Sequence, residues 1–437
     1  MPSPARWLLP QVPEPEVDSL ARTVPITLPA ARVLWRRGYR DPDGVRRFLT
    51  ASVDDLHDPF LLEGMDRAVD RVRRAIAGGE RILVYGDYDV DGATSVVILK
   101  KAIELAGGGA SYYVPDRLGE GYGMHPEVIE RAAAEGVRLI VSVDTGIRAR
   151  EAVERAHSLG IDVIVTDHHL PEATLPPACA ILDPKQPGCR YPEKNLCGAG
   201  VTLKLVQALL SRLGWPEQKQ RRLVASLLKM VAIATVADVV PLTGENRIIV
   251  KHGLAGLASV RNLGLRALLE AAGFPAGEAP SAGQVAFRIA PRINAAGRMA
   301  SADDVIRLFL TADEAQAREL AAQLHTLNQE RQETEAGIIA SILEECSRTP
   351  VGAERAALVF SGQGWHPGVV GIVANRLVER FHRPAVVLSV DPETGVARGS
   401  GRSIPAFHLL EALESMHDLF VRFGGHRQAA GLTLPAG

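Results

Sequence analysis

The sequence predicts an α/β fold in which a parallel sheet with helices on both faces is joined by one long helix to a smaller α/β lobe. Three observations predict it. Between residues 65 and 166, short apolar runs alternate with helical segments of about ten residues or more, the pattern of strands made parallel by helical crossovers. From 313 to about 346 runs a single polar-rich helical stretch. Beyond it, strand and helix patterns resume on a smaller scale.

Residues 1 to about 60 are Pro-rich and then Arg-rich, with a helical stretch near 42–49, and read as an N-terminal extension packed on the next domain. Helices are expected over 65–77, 93–106, 126–135 and 149–159, and strands over 81–86, 110–114, 139–143 and 163–166. A helix-rich region spans 201–310. The long helix opens with Thr311 and Glu314 at capping-box spacing. Its apolar positions Leu320, Leu324 and Leu327, and later Ile338, Ile339 and Ile342, flank a charged middle, 329–335. A helix poorly covered at its centre suits a connector between two lobes. Strands over 356–360, 385–389 and 395–399, around a helix over 369–381, form the smaller lobe. The expected division is 1–60, 61–310, 311–346 and 347–437.

With 437 residues, 46% of them hydrophobic, the chain can bury a sizeable core, which excludes a disordered tail. The apolar stretch 230–237 is bracketed by Lys229 and Asp238 and falls short of the roughly 18 residues a membrane span needs. The first ten residues carry one charge and too short an apolar run for a secretory signal, so a cytoplasmic location is expected. Cys179, Cys189, Cys197 and Cys346 show no CxxC spacing and read as reduced thiols. The 49 basic and 51 acidic residues nearly cancel, so nucleic-acid binding would have to come from a local cleft. Aromatics at 5% leave few stacking platforms, which favours gripping a backbone over reading bases.

The sharpest local signal is Gly86-Asp87-Tyr88-Asp89-Val90-Asp91-Gly92, three alternating aspartates at the end of a predicted strand. In an extended segment residues two apart share a side, so these carboxylates would crowd together. Crowded carboxylates either raise their pKa values or bind a hard divalent cation; an acidic surface loop is the plain alternative. Two further strands end alike, in Asp144-Thr145-Gly146 and Asp167-His168-His169. Ligands gather at the carboxyl ends of open parallel sheets, so three strand ends converge on one crevice. Alone, Asp144 would read as a helix cap. Asp238 closes an apolar stretch where an unpaired charge is costly, which makes it a fourth acidic candidate. Several Asp with one or two His and no Cys suit Mn²⁺ or Mg²⁺ better than structural zinc. Two such ions form an apparatus for in-line attack on phosphorus, so phosphoester or phosphoanhydride hydrolysis is the inferred reaction.

These four segments, the last being Ala237-Asp238-Val239-Val240-Pro241, resemble the motifs of the DHH phosphoesterase superfamily. The finer text resembles its RecJ branch of single-stranded-DNA-specific exonucleases. The likeness rests on Asp58-Pro59-Phe60, Pro115-Asp116-Arg117 with Glu120-Gly121-Tyr122-Gly123, and Pro291-Arg292-Ile293-Asn294-Ala295-Ala296-Gly297-Arg298. It rests also on Trp365-His366-Pro367-Gly368-Val369-Val370-Gly371-Ile372 and on Gly424-Gly425-His426, where the family's second domain, DHHA1, carries its glycine-glycine-histidine signature. The resemblance implies a di-metal centre in which Asp89 and Asp144 hold one Mn²⁺ or Mg²⁺ ion. Asp91, Asp144, His168 and Asp238 hold the other, with Asp144 bridging and with Asp87, Asp167 and His169 as supports or direct ligands. Asp144, Asp167, His168 and His169 form the implied catalytic set. Related phosphatases have a His where this chain has Tyr85, so the first site is less fully ligated or recruits Asp87 or water.

The resemblance also implies processive 5′ to 3′ release of mononucleotides from single-stranded DNA in repair and recombination, with a helicase and a single-strand-binding protein as suppliers and the enzyme a monomer. Arg292, Asn294 and Arg298 lie in a segment of small residues that allows close approach of a backbone. Residues 398–403, including Ser400 and Arg402, read as a Gly/Ser/Arg loop that cradles a terminal phosphate with backbone N–H groups. For these arginines an interlobe salt bridge is the alternative. Arg117 either caps a helix or holds the 5′ end, and the resemblance favours the phosphate. His366 and His426 either position the scissile phosphate or pack between lobes. Members of this branch continue into an oligonucleotide-binding barrel, whereas this chain ends eleven residues after His426, so a core lacking that barrel is expected. A small-substrate DHH phosphatase acting on short oligoribonucleotides or nucleotide bisphosphates is the competing enzyme reading. A non-catalytic DNA-binding module is the other, and retention of Asp89, Asp91, Asp144, His168 and Asp238 speaks against it.

Overall fold

A computed structural model of the chain describes residues 11–117, 119–348, 352 and 355–436. The first ten residues, on which the expectation of no secretory signal rests, lie outside them. Among the described residues no helix is long and apolar enough to cross a membrane.

Three short helices open the chain: α1 (Glu14–Thr23), α2 (Leu28–Arg36) and α3 (Pro42–Thr50). Leu20, Val24, Leu34 and Val45 give them a small core of their own. The large lobe follows as α4 (Met65–Ala77), β1 (Arg81–Tyr85), α5 (Val90–Leu105), β2 (Ala110–Tyr113), α6 (Pro126–Ala134), β3 (Val137–Val143), α7 (Arg150–Ser158), β4 (Asp162–Thr166) and β5 (Ala180–Leu182). Its strands are all parallel, in the order β2-β1-β3-β4-β5. Both faces are covered, as a parallel sheet requires. Ile82 and Val84 pack into one apolar cluster and Leu83 and Tyr85 into another, the period-2 alternation of a strand buried on both sides. The three-residue β5 was not anticipated; it is too short to show a period.

Helices α8 (Gly198–Arg212), α9 (Glu217–Ala237), α10 (Gly244–Gly256) and α11 (Leu263–Ala271) complete this core. A short α12 (Ala282–Gln284) and a π-helical turn, Val285–Ile289, lead into α13 (Ala290–Met299) and α14 (Asp303–Leu310). Then comes α15 (Glu314–Arg348), 35 residues long. Its cap differs from expectation. The carboxylate of Asp313, adjacent to the first helical residue, accepts from the N–H groups of Ala315 (2.7 Å) and Gln316 (3.3 Å). Thr311 stands two residues further out and accepts only from the Asp313 N–H. The two halves of α15 serve different cores: Ala317, Leu320, Ala321 and Leu324 join the large lobe, Ile338 and Ile342 the small one. Its charged middle is not bare either, since Asn328, Arg331 and Glu335 are buried where the lobes meet.

The small lobe contains β6 (Leu358–Gln363), α16 (Pro367–Phe381), β7 (Ala385–Asp391), β8 (Val396–Arg402), α17 (Leu409–Glu414), β9 (Arg422–His426) and β10 (Ala429–Pro435). Its strands lie in the order β6-β7-β8-β10-β9, with only β6 and β7 parallel. Glycines and half-exposed surfaces blur the hydrophobic period of β9 and β10, which the sequence reading missed.

Candidate metal centre

The carboxyl ends of β1, β3 and β4 deliver Asp87, Asp144 and the run Asp167-His168-His169 into one crevice, and Asp238 arrives there from the end of α9. The segment after β1 does not stay extended. Asp89 caps α5, its Oδ1 accepting from the N–H groups of Asp91 (2.8 Å) and Gly92 (3.0 Å). That turn splits the three aspartates. Ligand atoms of Asp87, Asp89 and Asp144 lie within 4.8 Å of one another, while Asp91, carried into the first turn of α5, groups within the same limit with His168 and Asp238. A third such group joins Asp144, His168 and His169. Helical geometry here overrides the simple alternation expected from sequence.

Asp144 is common to two of these groups. Its backbone sits in the left-handed region at φ 59° and extends the ladder, its N–H donating to the Thr166 carbonyl at 2.9 Å. It does not cap a helix: the residue capping α7 is Ala149. The His168 ring lies at the centre, Nε2 3.2 Å from Asp144 Oδ1 and 3.9 Å from Asp91 Oδ2, and Nδ1 3.7 Å from Asp238 Oδ2. The first two N–H groups of α8 hold Asp91: Gly198 donates to Oδ2 at 2.6 Å and Ala199 to Oδ1 at 2.7 Å. A helix N-terminus is a natural anion holder.

The electrostatics of the cluster call for a cation. Burial, then the neighbouring Asp89 charge, push the Asp91 carboxyl up to about 7. Burial and Asp91 push Asp238 up to about 7. Asp87 and Asp144 are driven well above the ordinary range, first by burial and then by the other aspartates. Asp87 Oδ1, Asp144 Oδ1 and both ring nitrogens of His168 are buried without a hydrogen-bond partner, an arrangement costly in itself. Unpartnered carboxylate oxygens and imidazole nitrogens, with no sulfur, fit Mn²⁺ or Mg²⁺.

Asp167 stands apart. Its Oδ1 accepts from the backbone N–H groups of His168 (2.7 Å) and His169 (3.1 Å) and lies 2.7 Å from His169 Nδ1, while Oδ2 accepts from the Ile147 N–H at 2.9 Å. Its oxygens face inward and it braces the two histidines. Burial opposes its charge, but His169, the Ile147 N–H and His168 together outweigh burial and lower its pKa; against its own burial, Asp167 and the nearby aspartates raise His169 to about 9. Tyr85 faces the other side of the sheet, its hydroxyl donating to the Gly123 carbonyl and accepting from the His125 N–H. The position where related phosphatases carry His therefore braces a loop.

The other anticipated residues divide. Arg117, stacked 4.8 Å over the Tyr88 ring, Arg298 and Arg402 lie close enough to repel. Burial, then Arg117 and Arg402, lower Arg298 to about 9, and burial, then Arg117, lower Arg402. No carboxylate among the described residues forms an ion pair with any of the three. Asn294 accepts from the Val90 N–H at 3.3 Å, on the turn that carries Asp89 and Asp91. His426 is lowered by burial, then by Arg402, Arg148 and His169, which places it at the same crevice. Arg292 is not brought in; it donates to His325 Nδ1 on α15 (3.1 Å from Nη2) and to the Arg288 carbonyl. His366 caps α16, its Nδ1 accepting from the Gly368 N–H at 3.1 Å. Ser400 and Arg402 lie on β8, not on a loop. As a strand flanked by β7 and β10, it spends its N–H groups on the sheet, so only side chains are free to grip a phosphate. Arg402 Nη1 donates to Ser400 Oγ at 2.6 Å.

Three contributors have no role assigned from the sequence. The N–H pair of Gly198 and Ala199 was signalled only by a glycine opening an apolar helix. Tyr122, 47% exposed with its hydroxyl 3.3 Å from His169 Nδ1, was visible as an aromatic between two glycines. Lys185, whose ammonium donates to the His168 carbonyl at 2.5 Å, gave no local signal.

Residues 81–235 match the DHH family, N-terminal domain, and residues 354–437 match the DHHA1 domain. The chain is 42% identical over 434 residues to the single-stranded-DNA-specific exonuclease RecJ of Bacillus subtilis, covering 99% of this chain and 54% of that protein. It is 40% identical over 434 residues to the Escherichia coli protein of the same name, covering 96% and 74%. The crystal structure of Thermus thermophilus RecJ in complex with Mn²⁺ superposes with a TM-score of 0.81 at 34% identity, covering 98% of this chain and 59% of that one. The chain thus spans little more than half the length of the Bacillus and Thermus proteins. Shared domains on both sides of the long helix, and identity of this extent, place the chain in the RecJ family.

Proposed function

We propose that this chain carries the catalytic core of a divalent-metal-dependent 5′ to 3′ exonuclease that releases 5′-mononucleotides from single-stranded DNA in repair and recombination. The observation that carries the reading is the juxtaposition of an anion-seeking arginine cluster, Arg117, Arg298 and Arg402, with a cation-seeking cluster of aspartates and His168. A terminal phosphate suits the first and a scissile phosphodiester the second.

Asp87, Asp89 and Asp144 would hold one Mn²⁺ or Mg²⁺ ion, and Asp91, His168, Asp238 and Asp144 another. Bound there, the ions supply charge that polarises the phosphoryl group and activates water. The protein supplies positioning. The α8 N-terminus aims Asp91, Asp167 and Lys185 set the backbone and rings of the histidines, and His169, held cationic by Asp167, stands beside the cluster as a donor to a phosphoryl oxygen. Ser400, Arg402 and His426 meet the strand from the small lobe and Arg117, Asn294 and Arg298 from the large one. The site reads charge and not base edges, which suits a sequence-independent nuclease. We read the enzyme as a cytoplasmic monomer whose unpaired substrate is exposed by a helicase and kept single by a strand-binding protein.

The test is product analysis with Mn²⁺ and with Mg²⁺ on single-stranded and duplex DNA labelled at either end, beside a short RNA and a nucleotide bisphosphate. Mononucleotides released from the 5′ ends of single strands alone are expected. Turnover confined to the short RNA or the bisphosphate would overturn the proposal in favour of a small-substrate phosphatase.

A further inference from the structure

The two groups that bracket the proposed reaction sit on different lobes, and one helix sets the distance between them. The N-terminus of α16 abuts the large lobe: a Cβ built on Gly368 would stand 2.2 Å from the Arg298 carbonyl oxygen, and Arg298 Nη1 donates to the Gly368 carbonyl at 3.3 Å. One turn on, the same helix lies against the phosphate-gripping pair. A Cβ on Gly371 would stand 3.1 Å from both Ser400 Oγ and Arg402 Nη2. A shift of α16 therefore moves Ser400 and Arg402.

A polar ladder at the middle of α15, buried along α15 and open to solvent only at Arg376, holds this helix. Asn328 Oδ1 accepts from Arg331 Nη2 at 2.7 Å, Arg331 Nη1 donates to Glu335 Oε2 at 2.6 Å, and Glu335 Oε1 accepts from Arg376 Nε of α16 at 3.1 Å. The ladder lies where the large-lobe core ends, at Leu324, and before the small-lobe core begins, at Ile338. Apolar packing between those points would tolerate sliding, whereas a two-sided carboxylate with defined partners has one register. Fixing a register is the best-attested use of buried ion pairs.

We propose that Glu335 is a positioning residue. Through Arg376 it fixes α16, and so Ser400 and Arg402, relative to the acidic cluster, setting how well the 5′ phosphate is held and not how fast the bond is cut. The inference rests on the reading of Ser400 and Arg402 as the phosphate grip.

Arg376 is the safer residue to change, because its side chain is 56% exposed and its loss leaves the buried Arg331–Glu335 pair intact. Two readouts are taken for Arg376→Gln, Arg376→Lys and Glu335→Gln in the full chain: steady-state kinetics on 5′-phosphorylated and 5′-hydroxyl single strands, and amide hydrogen exchange across α16 and β8. Arg376→Gln should raise KM for phosphorylated strands roughly 3- to 10-fold, leave kcat and Mn²⁺ affinity within about twofold, and speed exchange in α16. Arg376→Lys should restore part of the loss. An equal change on both kinds of end, or a fall in kcat with KM unchanged, would overturn the assignment. If the wild-type chain does not cut DNA, the nuclease reading fails; unaltered exchange in α16 would sink the positioning role whatever the activity.

Discussion

A Cβ built on Gly198 would stand 2.6 Å from both Cβ and Oδ1 of Asp144, closer than real side chains approach. The same residue donates its N–H to Asp91 Oδ2 at 2.6 Å, so one glycine at the head of α8 serves two carboxylates of the cluster. Gly198→Ala should therefore displace Asp144 or withdraw α8 from Asp91. The expected result is Mn²⁺ affinity weakened at least about tenfold, in line with losses for residues that orient ligands, with helical content retained. Titration calorimetry beside circular dichroism checks it.

Asp144→Asn keeps the left-handed backbone that Asn tolerates and removes the charge shared by two ligand groups. A contribution of several kcal/mol to the transition state corresponds to about 10³-fold in rate. Single-turnover hydrolysis should fall by that order while the melting temperature stays near that of the wild type. Turnover within tenfold of the wild type would remove Asp144 from the centre of the reaction.

Arg402→Ala deletes one guanidinium from the arginine cluster without touching a carboxylate. A hydrogen bond to a charged group is worth about 1.5–3 kcal/mol, or roughly 10- to 100-fold. The loss should appear on 5′-phosphorylated strands and be small on 5′-hydroxyl strands. Equal loss on both would assign Arg402 to the sheet and not to the strand end.

Divalent ions should stabilise the fold, because they neutralise aspartates that burial and mutual repulsion now oppose. At 100 times its dissociation constant, Mn²⁺ should add about 2.7 kcal/mol. The melting temperature should rise with Mn²⁺ and return on adding a chelator, and Asp144→Asn should respond less. Insensitivity of the wild type would count against the centre.

The His366 cap gives the small lobe a pH dependence of its own. Burial lowers the imidazole below its ordinary value of 6.5, and the neutral ring accepts the Gly368 N–H. Because the folded state prefers the neutral form, this stability is complete above about 6.5 and is lost as pH falls through the lowered folded value. His366→Asn keeps a capping acceptor that does not titrate. Urea unfolding from pH 7.5 to 5 should show the wild type losing up to about 1 kcal/mol relative to the variant; parallel curves would contradict this.

Much of the site was legible because its residues stand where chain direction alone puts them. Asp87, Asp144 and His168 each end a strand, and strands joined by helices must be parallel, so their ends meet. Asp238 was legible as a charge closing an apolar stretch. Misreadings came where a second element intervened. Asp91 left the Asp87 side because Asp89 nucleates a helix, Arg292 turned to His325 on a helix more than thirty residues later, and Ser400 and Arg402 lie on a strand whose partner β10 was not foreseen.

By itself the sequence determined the α/β alternation, the long connecting helix and the identity of the acidic and histidine residues at the strand ends, because hydrophobic period and chain order are local properties. Only the tertiary structure decided which carboxylates pair, which oxygens stay free and which arginines face one another without an acid. Those outcomes depend on groups such as Gly198 and Asp91, or Glu335 and Arg376, that lie far apart in sequence and act on each other only over a few ångströms. Hydrogen bonding and burial are decided at that distance, and no period in the chain encodes it.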